Sequence, residues 1–292
     1  MNEREYLAEM AGVKGSQKGV IKMEYRVLGK TGLKVSVVGF GGIPIAKVSE
    51  DEAVEVVRRA MDLGINLFHT SPTYGDSATK IGRAIRDRRE ECILNVKIFG
   101  VSRERTQKGL ESALKMLQTD RIEIVQFRIT PEQFEQGLGK EGGLNVLLKA
   151  QEEGIIEHIG ITDHDPNFVA EAIKTGYFSN VVVPFNYVYN EAREKLIPLA
   201  LELGVGIAAM KPLGRGALTN VAEALNYIWE HGASTAIVGM KSIREVEENA
   251  SIGSKVQPLT PKQKRRLKSL AETLLRKYKI KSGALIPIDE RA

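Results

Sequence analysis

Ala60-Met-Asp-Leu-Gly-Ile-Asn-Leu-Phe68 is a run of helical character that ends at Gly64 and passes directly into an apolar strand. The same order returns three more times along the chain, with the glycine at Gly154, Gly204 and Gly232. A glycine just past a helix end takes the left-handed conformation that closes the helix. A strand that follows at once makes a helix–strand unit with a very short loop. The pattern therefore predicts a chain in which helices and strands alternate.

Eight short apolar runs are predicted as strands, and the runs between them are mostly helical in period. Short strands that are apolar on both faces indicate a parallel sheet covered by helices. Eight such units in about 250 residues favour an α/β fold of the closed (β/α)8 type, a TIM barrel, over an open sheet. The predicted strands are Val35–Phe40, Ile65–Phe68, Ile93–Val96, Ile122–Phe127, Ile155–Ile161, Val181–Phe185, Val205–Met210 and Ala233–Val238.

The N-terminal part of the chain lies outside the repeating pattern. Residues 1–22 are predicted as an N-terminal extension with a helix at Asn2–Met10, and residues 23–292 as a single barrel domain. Glu24–Leu28 and Leu33–Val35 flank a Gly-Lys-Thr-Gly turn, which predicts a β-hairpin at the bottom of the barrel.

The C-terminal part is predicted to add one helix to the barrel. Thr260 and Pro261 are suited to the N-cap and first turn of a helix that covers residues 260–278. The dense basic run Lys262–Arg266 within it favours a solvated helix face over a nucleic-acid site. The tail after Ser282 is predicted to be irregular.

The composition of the 292 residues is typical of a soluble globular protein, with 42% hydrophobic and 27% charged residues and a net charge of +5. Cys92 is the single cysteine, so the chain has no internal disulfide and no cysteine-based zinc or iron–sulfur cluster. No apolar run approaches the roughly 20 residues that cross a bilayer. We expect a cytoplasmic monomer or small homo-oligomer without a metal, bound neither to nucleic acid nor to a membrane.

Polar side chains follow five successive predicted strands, at the end of such a barrel where active sites lie. Each one alone is an ordinary strand-end residue meeting solvent, but together they indicate a cleft. A phenol in a cleft can give or take a proton, and a histidine beside it can polarise it. The residues are His69, Tyr74, Lys97, Arg128, Thr162, Asp163, His164 and Asn186.

Two loops after the last two predicted strands are candidates for binding phosphate, as loops at these positions often do in this fold. Pro212-Leu-Gly-Arg-Gly-Ala-Leu218 is rich in glycine, and its backbone N–H groups could cradle an anion or form an ordinary turn. Lys241, Ser242 and Arg244 lie where a helix begins, with Ser242 also suited to a simple N-cap.

Five stretches together resemble the aldo-keto reductase superfamily over about residues 23–255, in the order that this family has them. The resemblance implies a (β/α)8 barrel without a Rossmann domain that reduces carbonyls with NADPH or NADH. The stretches are Tyr25-Arg-Val-Leu-Gly-Lys-Thr-Gly-Leu-Lys-Val-Ser-Val-Val-Gly-Phe-Gly-Gly42, Phe68-His-Thr with Tyr74-Gly75, Ile159-Gly-Ile-Thr-Asp163, Pro212-Leu-Gly-Arg-Gly216, and Gly239 with Glu248-Asn249.

The resemblance assigns four catalytic positions, two of which carry an unusual residue. The family uses Asp, Tyr, Lys and His. The tyrosine, which donates the proton, falls on Tyr74, and the lysine, which lowers its pKa, falls on Lys97. The aspartate position holds His69, and the histidine position holds Arg128.

The resemblance and the two loops together assign the cofactor-binding positions. Thr162 and Asp163 match the Ser-Asn pair that holds the nicotinamide amide, and Met210 falls on the aromatic stacking position. Glu245 falls where an arginine often binds the 2′-phosphate. The full set is Thr162, Asp163, Met210, Lys211, Pro212, Leu213, Gly214, Gly216, Lys241, Ser242, Arg244, Glu245, Glu248 and Asn249.

The changed residues alter the charge around Tyr74. With the carboxylate lost and Arg128 added, two cations near the phenol favour a tyrosinate, which is a poor acid but a good base. Asp163 offers a counter-charge to Arg128 or Lys97, and a neutral His69 could then accept a hydrogen bond from Lys97. Arg128 is also suited to clamping a substrate carboxylate or phosphate.

These observations predict an NAD(P)(H)-dependent oxidoreductase that interconverts a carbonyl and an alcohol, with Tyr74 as acid and base. Its partner would be a small carbonyl or alcohol substrate, including anionic ones, and its cofactor NADP(H) or NAD(H). One alternative is a nucleotide-binding sensor or interaction protein with weak catalysis. Another is a barrel aldolase or isomerase that uses Lys97 or Lys211 to form a Schiff base.

Overall fold

A closed barrel of eight parallel strands forms the centre of the computed structural model, which describes residues 22–281 and 284–287. A two-stranded antiparallel hairpin, β1 (Tyr25–Val27) and β2 (Lys34–Ser36), precedes it. Neighbouring barrel strands follow the chain order, and β10 pairs with β3 to close the ring. The barrel strands are β3 (Val38–Gly41), β4 (Leu67–Thr70), β5 (Ile93–Phe99), β6 (Ile122–Arg128), β7 (Ile156–Thr162), β8 (Asn180–Pro184), β9 (Gly206–Met210) and β10 (Thr235–Gly239).

Helices cover the outside of the barrel, and the predicted (β/α)8 fold is confirmed. Ten α-helices lie within the described ranges: α1 (Glu50–Asp62), α2 (Ser77–Ile85), α3 (Arg103–Leu117), α4 (Phe134–Leu138), α5 (Leu144–Glu152), α6 (Pro166–Ile173), α7 (Leu196–Glu202), α8 (Val221–Glu230), α9 (Ile243–Gly253) and α10 (Pro261–Lys277). Single 3-10 turns occur at Pro44–Lys47, Arg89–Glu91, Pro131–Gln133, Glu191–Arg193 and Gly214–Gly216.

The α1–β4 unit illustrates how the sequence builds the barrel. Ser49 and Glu52 form a capping box that starts α1, and one helix stripe, including Ala53 and Val57, is buried. Gly64 then takes a φ of 84°, which a residue with a Cβ adopts only under strain, and the chain turns straight into β4. The glycine that ends each of the other three units also has a positive φ, as predicted.

Two apolar clusters fill the molecule. The larger one lies between the barrel and its helices. The smaller one joins Leu28 and Val35 of the hairpin region to Leu67, Ile124 and Val182 from alternate barrel strands. The hairpin therefore closes one end of the barrel interior, as predicted, and the functional cleft opens at the other end.

The first barrel strand begins later than predicted. Residues 35–40 were expected to form one strand, but the hairpin takes Lys34–Ser36 and the barrel strand starts at Val38. The hydroxyl of Ser36 donates to the carbonyl of Val38 over 2.7 Å, so the chain changes direction between the two strands.

The C-terminal helix is confirmed, whereas the prediction of an irregular tail was wrong for residues 284–287. Thr260 caps α10 through a capping box with Gln263. The chain then forms an antiparallel hairpin of β11 (Tyr278–Lys281) and β12 (Ala284–Pro287). The basic run of α10 is largely exposed, in agreement with the solvated face that was predicted.

Three further expectations concern a membrane span, a metal site and the start of the chain. Among the residues that the structure describes, no helix combines the length and apolar character needed to span a membrane. Within the same ranges, no group of three or more His, Cys, Asp or Glu side chains is arranged so that it could hold a metal ion. The predicted helix at Asn2–Met10 lies outside the described residues.

Candidate active site

The strand register brings the predicted catalytic residues to the open end of the barrel. Side chains alternate along a strand, so residues two or four beyond an inward-facing leucine or isoleucine also face the interior. His69 follows Leu67 on β4 in this way, and Arg128 follows Ile124 on β6. Lys97 on β5 pairs in register with Gln126 of β6. Arg128 lies two residues further along the same face of β6. These side chains therefore all face the barrel interior near its open end.

A tight turn after β4 carries Tyr74 over Lys97. The N–H of Tyr74 donates to the carbonyl of Ser71, and the hydroxyl of Ser71 donates to the carbonyl of Lys97 over 2.9 Å. The Lys97 Nζ atom lies 4.4 Å from the centre of the Tyr74 ring. The turn and the Ser71 hydroxyl thus hold Tyr74 close to Lys97.

Phe99 is a part of this site that the sequence analysis missed. Its ring centre lies 5.5 Å from Lys97 Nζ, so the ammonium group lies near two aromatic rings. A ring face attracts a cation by about 0.5–2 kcal/mol, more when water is excluded. Phe99 stands two residues after Lys97 on the same strand face, and that spacing was the signal that could have found it.

His69 is neutral and does not pair with Lys97. Its side chain is 6% exposed, and burial together with the charge of Lys97 lowers its pKa to about 3. Its ring centre lies 6.1 Å from that of Tyr74, while its Nε2 atom has no hydrogen-bond partner among the described residues. The hydrogen bond that was proposed from Lys97 to His69 is therefore not formed among the residues that the structure describes.

The expectation that Tyr74 is a tyrosinate was wrong. Burial raises the pKa of Tyr74 to about 12, and this effect exceeds the opposing influence of Arg128. Burial and the nearby Arg128 lower the pKa of Lys97 to about 8. At neutral pH the site therefore combines a neutral phenol, which can act as an acid, with a lysine close to its titration range.

Arg128 finds its counter-charge in Asp163, as one of the sequence alternatives proposed. Nη1 of Arg128 forms an ion pair with the Asp163 carboxylate and donates to the carbonyl of Ile129 over 2.9 Å. The two side chains are 18% and 8% exposed. Asp163 also accepts the N–H of Asp165, so its carboxylate is held from two sides.

The neighbouring cofactor candidates lie at the same end of the barrel. Thr162 on β7 donates its hydroxyl to the carbonyl of Val182 over 2.7 Å. Met210 ends β9 and is half-buried. Asn186 accepts the N–H groups of Val188 and Tyr189 and donates to the carbonyl of Lys211, so it fixes the loop that precedes the glycine-rich segment.

The glycine-rich loop after β9 has an unusual backbone. Lys211, Gly214, Arg215 and Gly216 all have positive φ, with values of 53°, 54°, 62° and 94°. Gly214 donates to the carbonyl of Lys211, and Gly216 donates to that of Leu213. Two non-glycine residues in the left-handed region store strain that the surrounding packing must hold. Pro212 and Leu213 lie between Lys211 and Gly214 and complete the turn.

The loop after β10 forms a capped helix start. Ser242 accepts the N–H of Glu245, and the Glu245 carboxylate accepts the N–H of Lys241 over 2.7 Å. Arg244 pairs with Glu248 on the exposed face of α9. Glu245, at the position predicted for phosphate recognition, thus caps its own helix.

Asn249 lies one turn further along α9 and lines a surface groove with Glu248 and Ile252. It is 7% exposed, and its Nδ2 group donates to the carbonyl of Glu245. Its Oδ1 atom is buried and has no partner within the described part of the chain. A buried acceptor without a partner is costly, so this groove is suited to a ligand or water that donates a hydrogen bond.

The pKa of His164 shows that several cations of the site lie near it. Burial is the main cause that lowers its pKa to about 4, and Lys211, Arg128, Lys97 and Arg215 lower it further. Burial and the other three cations also lower the pKa of Lys211 to about 8. Arg215, which the sequence analysis did not assign to the site, therefore belongs to the same cleft. The presence of two glycines around it was the available signal.

Comparison with known proteins agrees with this geometry. The sequence profile of the Aldo/keto reductase family matches residues 37–226. The chain belongs to the aldo/keto reductase family. L-galactose dehydrogenase of Arabidopsis thaliana is 30% identical over an alignment of 290 residues. The match covers 82% of this chain and 90% of that protein.

Solved structures of other aldo-keto reductases share the fold. The holo form of an aldo-keto reductase from Bacillus halodurans has a TM-score of 0.76 and 23% identity, and the match covers 85% of this chain and 96% of that one. An aldo/keto reductase from Klebsiella pneumoniae in complex with NADP and acetate has a TM-score of 0.70 and 19% identity, with 86% and 96% covered. This aldo/keto reductase thus combines the family barrel with His69 and Arg128 at the open end.

Proposed function

We propose that this chain is a nicotinamide-dependent oxidoreductase that interconverts a carbonyl and an alcohol, with Tyr74 as the acid and base. The observation that carries the proposal is the contact of Lys97 with the ring of Tyr74, 4.4 Å from Nζ to the ring centre. A phenol can transfer a proton, and a cation beside it stabilises the negative charge that develops during the transfer. Membership of the aldo/keto reductase family supports the same chemistry.

The residues present fit a nicotinamide dinucleotide. The unpartnered Oδ1 atom of Asn249, in its groove, suits a donor group at the adenosine end. Lys211 and Arg215 bring positive charge to the glycine-rich loop, which suits a pyrophosphate. The Klebsiella structure contains NADP, which supports the choice of cofactor class without deciding between NADP and NAD. When bound, this group supplies or accepts the hydride.

The protein's own residues would donate and accept the proton. Because the pKa of Tyr74 is about 12, the phenol is neutral at pH 7 and can donate its proton to the oxygen of a carbonyl. Lys97, charged below about pH 8, would stabilise the phenolate that remains. In the oxidative direction the same pair takes a proton from the alcohol. The half-buried setting of Tyr74 limits competing hydrogen bonds from water.

We infer that the substrate includes an anionic group. Asp163 offsets the charge of Arg128, but a neutral His69 leaves Lys97 without a carboxylate at the neighbouring strand position. The cleft therefore keeps an excess of positive charge around Tyr74. A carboxylate or phosphate on the substrate would balance it and would accept charge-assisted hydrogen bonds.

Cofactor titration followed by a matched substrate panel tests this proposal. We expect NADPH or NADH to quench the fluorescence of the protein, and we expect turnover of an aldehyde acid to exceed that of its methyl ester by roughly tenfold in kcat/KM. L-galactose belongs in the panel because the Arabidopsis relative is named for it. Equal turnover of acid and ester would contradict the anionic substrate. Absence of quenching by both nucleotides would contradict the oxidoreductase itself.

The second candidate is a nucleotide-binding sensor with weak catalysis. The observation that favours it is His69, whose Nε2 atom is buried without a partner at a position where the family has a catalytic carboxylate. Quenching by a nucleotide without turnover of any aldehyde, ketone or alcohol in the panel would support the sensor and contradict Tyr74 as a working acid.

The pH dependence of turnover offers a test of the role of Lys97. We expect reductive kcat/KM to fall as the pH rises through about 8, because Lys97 loses its charge there. In His69→Asp, a carboxylate beside Lys97 would raise the pKa of the lysine and move this fall toward pH 10. At pH 9 the variant would then retain a fraction of its maximal kcat/KM roughly ten times as large as the fraction that the wild type retains.

His69→Asn is the matched control because it has the shape of aspartate without the charge. Its fall in activity is expected to stay near pH 8, as in the wild type. If the Asp and Asn variants lose activity at the same pH, the charge of Lys97 does not govern the basic limb and the proposed role is wrong.

A further inference from the structure

The C-terminal hairpin packs on the glycine-rich loop of the site. Strand β12 contacts the 3-10 turn Gly214–Gly216, and its residue Leu285 is only 8% exposed. Leu285 also belongs to the main apolar cluster of the protein. The last described strand of the chain is therefore fastened to the loop that we assign to the cofactor pyrophosphate, far from it in sequence.

The contact is made at Gly214, where the loop is most confined. A methyl group added to the Cα atom of Gly214 would lie 3.2 Å from Leu285 Cδ1 and 3.3 Å from Leu218 Cγ. Gly214 has a φ of 54°, so a side chain there would also be strained. Leu285 and Leu218 thus enclose this glycine and leave its backbone little freedom to move.

The loop needs such support because its backbone is strained. Lys211 and Arg215 have φ values of 53° and 62°, and a non-glycine residue is strained in the left-handed region. The loop's own backbone hydrogen bonds, from Gly214 to Lys211 and from Gly216 to Leu213, hold it from within. The apolar contact from Leu285 holds it from outside.

We propose that Leu285 is a positioning residue that holds the glycine-rich loop in the conformation that binds the dinucleotide, so that cofactor affinity depends on the C-terminal hairpin. This inference rests on the proposed function for the identity of the ligand. A loop that is already ordered loses less entropy when it binds. Loosening the hairpin would therefore weaken binding and would leave the proton chemistry at Tyr74 largely unchanged, because Tyr74 follows β4, which does not neighbour β9 in the barrel.

Hydrogen exchange tests the mechanical part without any cofactor. In Leu285→Ala we expect the amides of Gly214, Gly216 and Leu218 to exchange roughly tenfold faster than in the wild type, because local opening of the loop becomes easier. Ile286→Ala is the matched control, since Ile286 lies on the same strand and alternation points it to the opposite face. Its exchange at these three amides is expected to stay within about twofold of the wild type.

Nucleotide titration tests the functional part. We expect Leu285→Ala to raise the Kd and KM of the nicotinamide cofactor roughly tenfold, equivalent to about 1.4 kcal/mol, with kcat at saturation changed less than about threefold. A general loss of structure would lower kcat and the melting temperature together instead. Leu285→Val, a smaller change, is expected to give about a threefold rise in Kd and serves if the alanine variant does not fold.

A double-mutant cycle tests the contact itself. Gly214→Ala is expected to weaken cofactor binding less in the Leu285→Ala background than in the wild type, because the clash with the leucine is then removed. Unchanged exchange at the three amides in Leu285→Ala would overturn the inference, whatever the cofactor does. Failure of the wild type to bind NADPH or NADH would instead remove the proposed function, and the exchange data would still decide whether the hairpin holds the loop.

Discussion

Replacing Tyr74 with phenylalanine is expected to lower kcat about a thousandfold while cofactor affinity stays within about threefold of the wild type. The change removes one oxygen atom, the group that we propose transfers the proton. The ring remains, and with it the contact of Lys97 at 4.4 Å, so the cation and the cofactor loops keep their surroundings. Steady-state kinetics and a nucleotide titration on the same preparation measure the two quantities.

Tyr189→Phe is the control for the loss of a phenol near the same cleft. Tyr189 is buried and donates its hydroxyl to the carbonyl of His164 over 2.9 Å, so its removal costs one structural hydrogen bond of about 1 kcal/mol. We expect its kcat to remain within about threefold of the wild type. Turnover of Tyr74→Phe at the level of Tyr189→Phe would show that another group transfers the proton.

Replacing Arg128 with methionine is expected to lower the free energy of unfolding by about 3 kcal/mol. The Arg128–Asp163 pair is largely buried, at 18% and 8% exposure. Removal of the guanidinium leaves a carboxylate away from water whose remaining hydrogen-bond donor among the described residues is the N–H of Asp165. An unpaired buried charge costs far more than the net contribution of the pair. Urea unfolding followed by circular dichroism measures the change.

Two further variants separate this effect from loss of any ion pair. Arg128→Met combined with Asp163→Asn removes both charges and is expected to recover most of the lost stability. Lys264→Met breaks the exposed pair with Glu230, and we expect a loss below about 1 kcal/mol. If the single Arg128 variant is no less stable than the Lys264 variant, the pair does not organise the cleft as we infer.

The barrel was largely predictable because its signals are local. The period of the helices, the glycine at each helix end and the apolar strands are all set by neighbouring residues, and all eight strands were found. The boundary at Ser36–Val38 was missed because Val35, Val37 and Val38 resemble one apolar run, and only the different partners of the two strands separate them. The β12 strand pairs with the adjacent β11, but the contact that anchors it, at Gly214, lies far away in the sequence, and the strand was missed for this reason.

The site divides in a similar way. The residue types and their places at strand ends were predictable, as were the helix caps at Ser242 and Thr260, because each cap bonds to a residue three positions away. The protonation states were less predictable. Counting charges favoured a tyrosinate at Tyr74, but burial raises its pKa to about 12, and burial depends on the whole fold. The pairing of Arg128 with Asp163 was one of two alternatives that charge alone left open.

By itself, then, the sequence determined the barrel, the order of its units and the set of polar residues at its open end, because hydrophobic period and turn chemistry act over a few residues. Tertiary structure alone decided that Tyr74 is a neutral phenol above Lys97, that His69 is neutral, and that Leu285 presses on Gly214. These properties depend on desolvation and on contacts between distant strands, and both exist only after the barrel has closed.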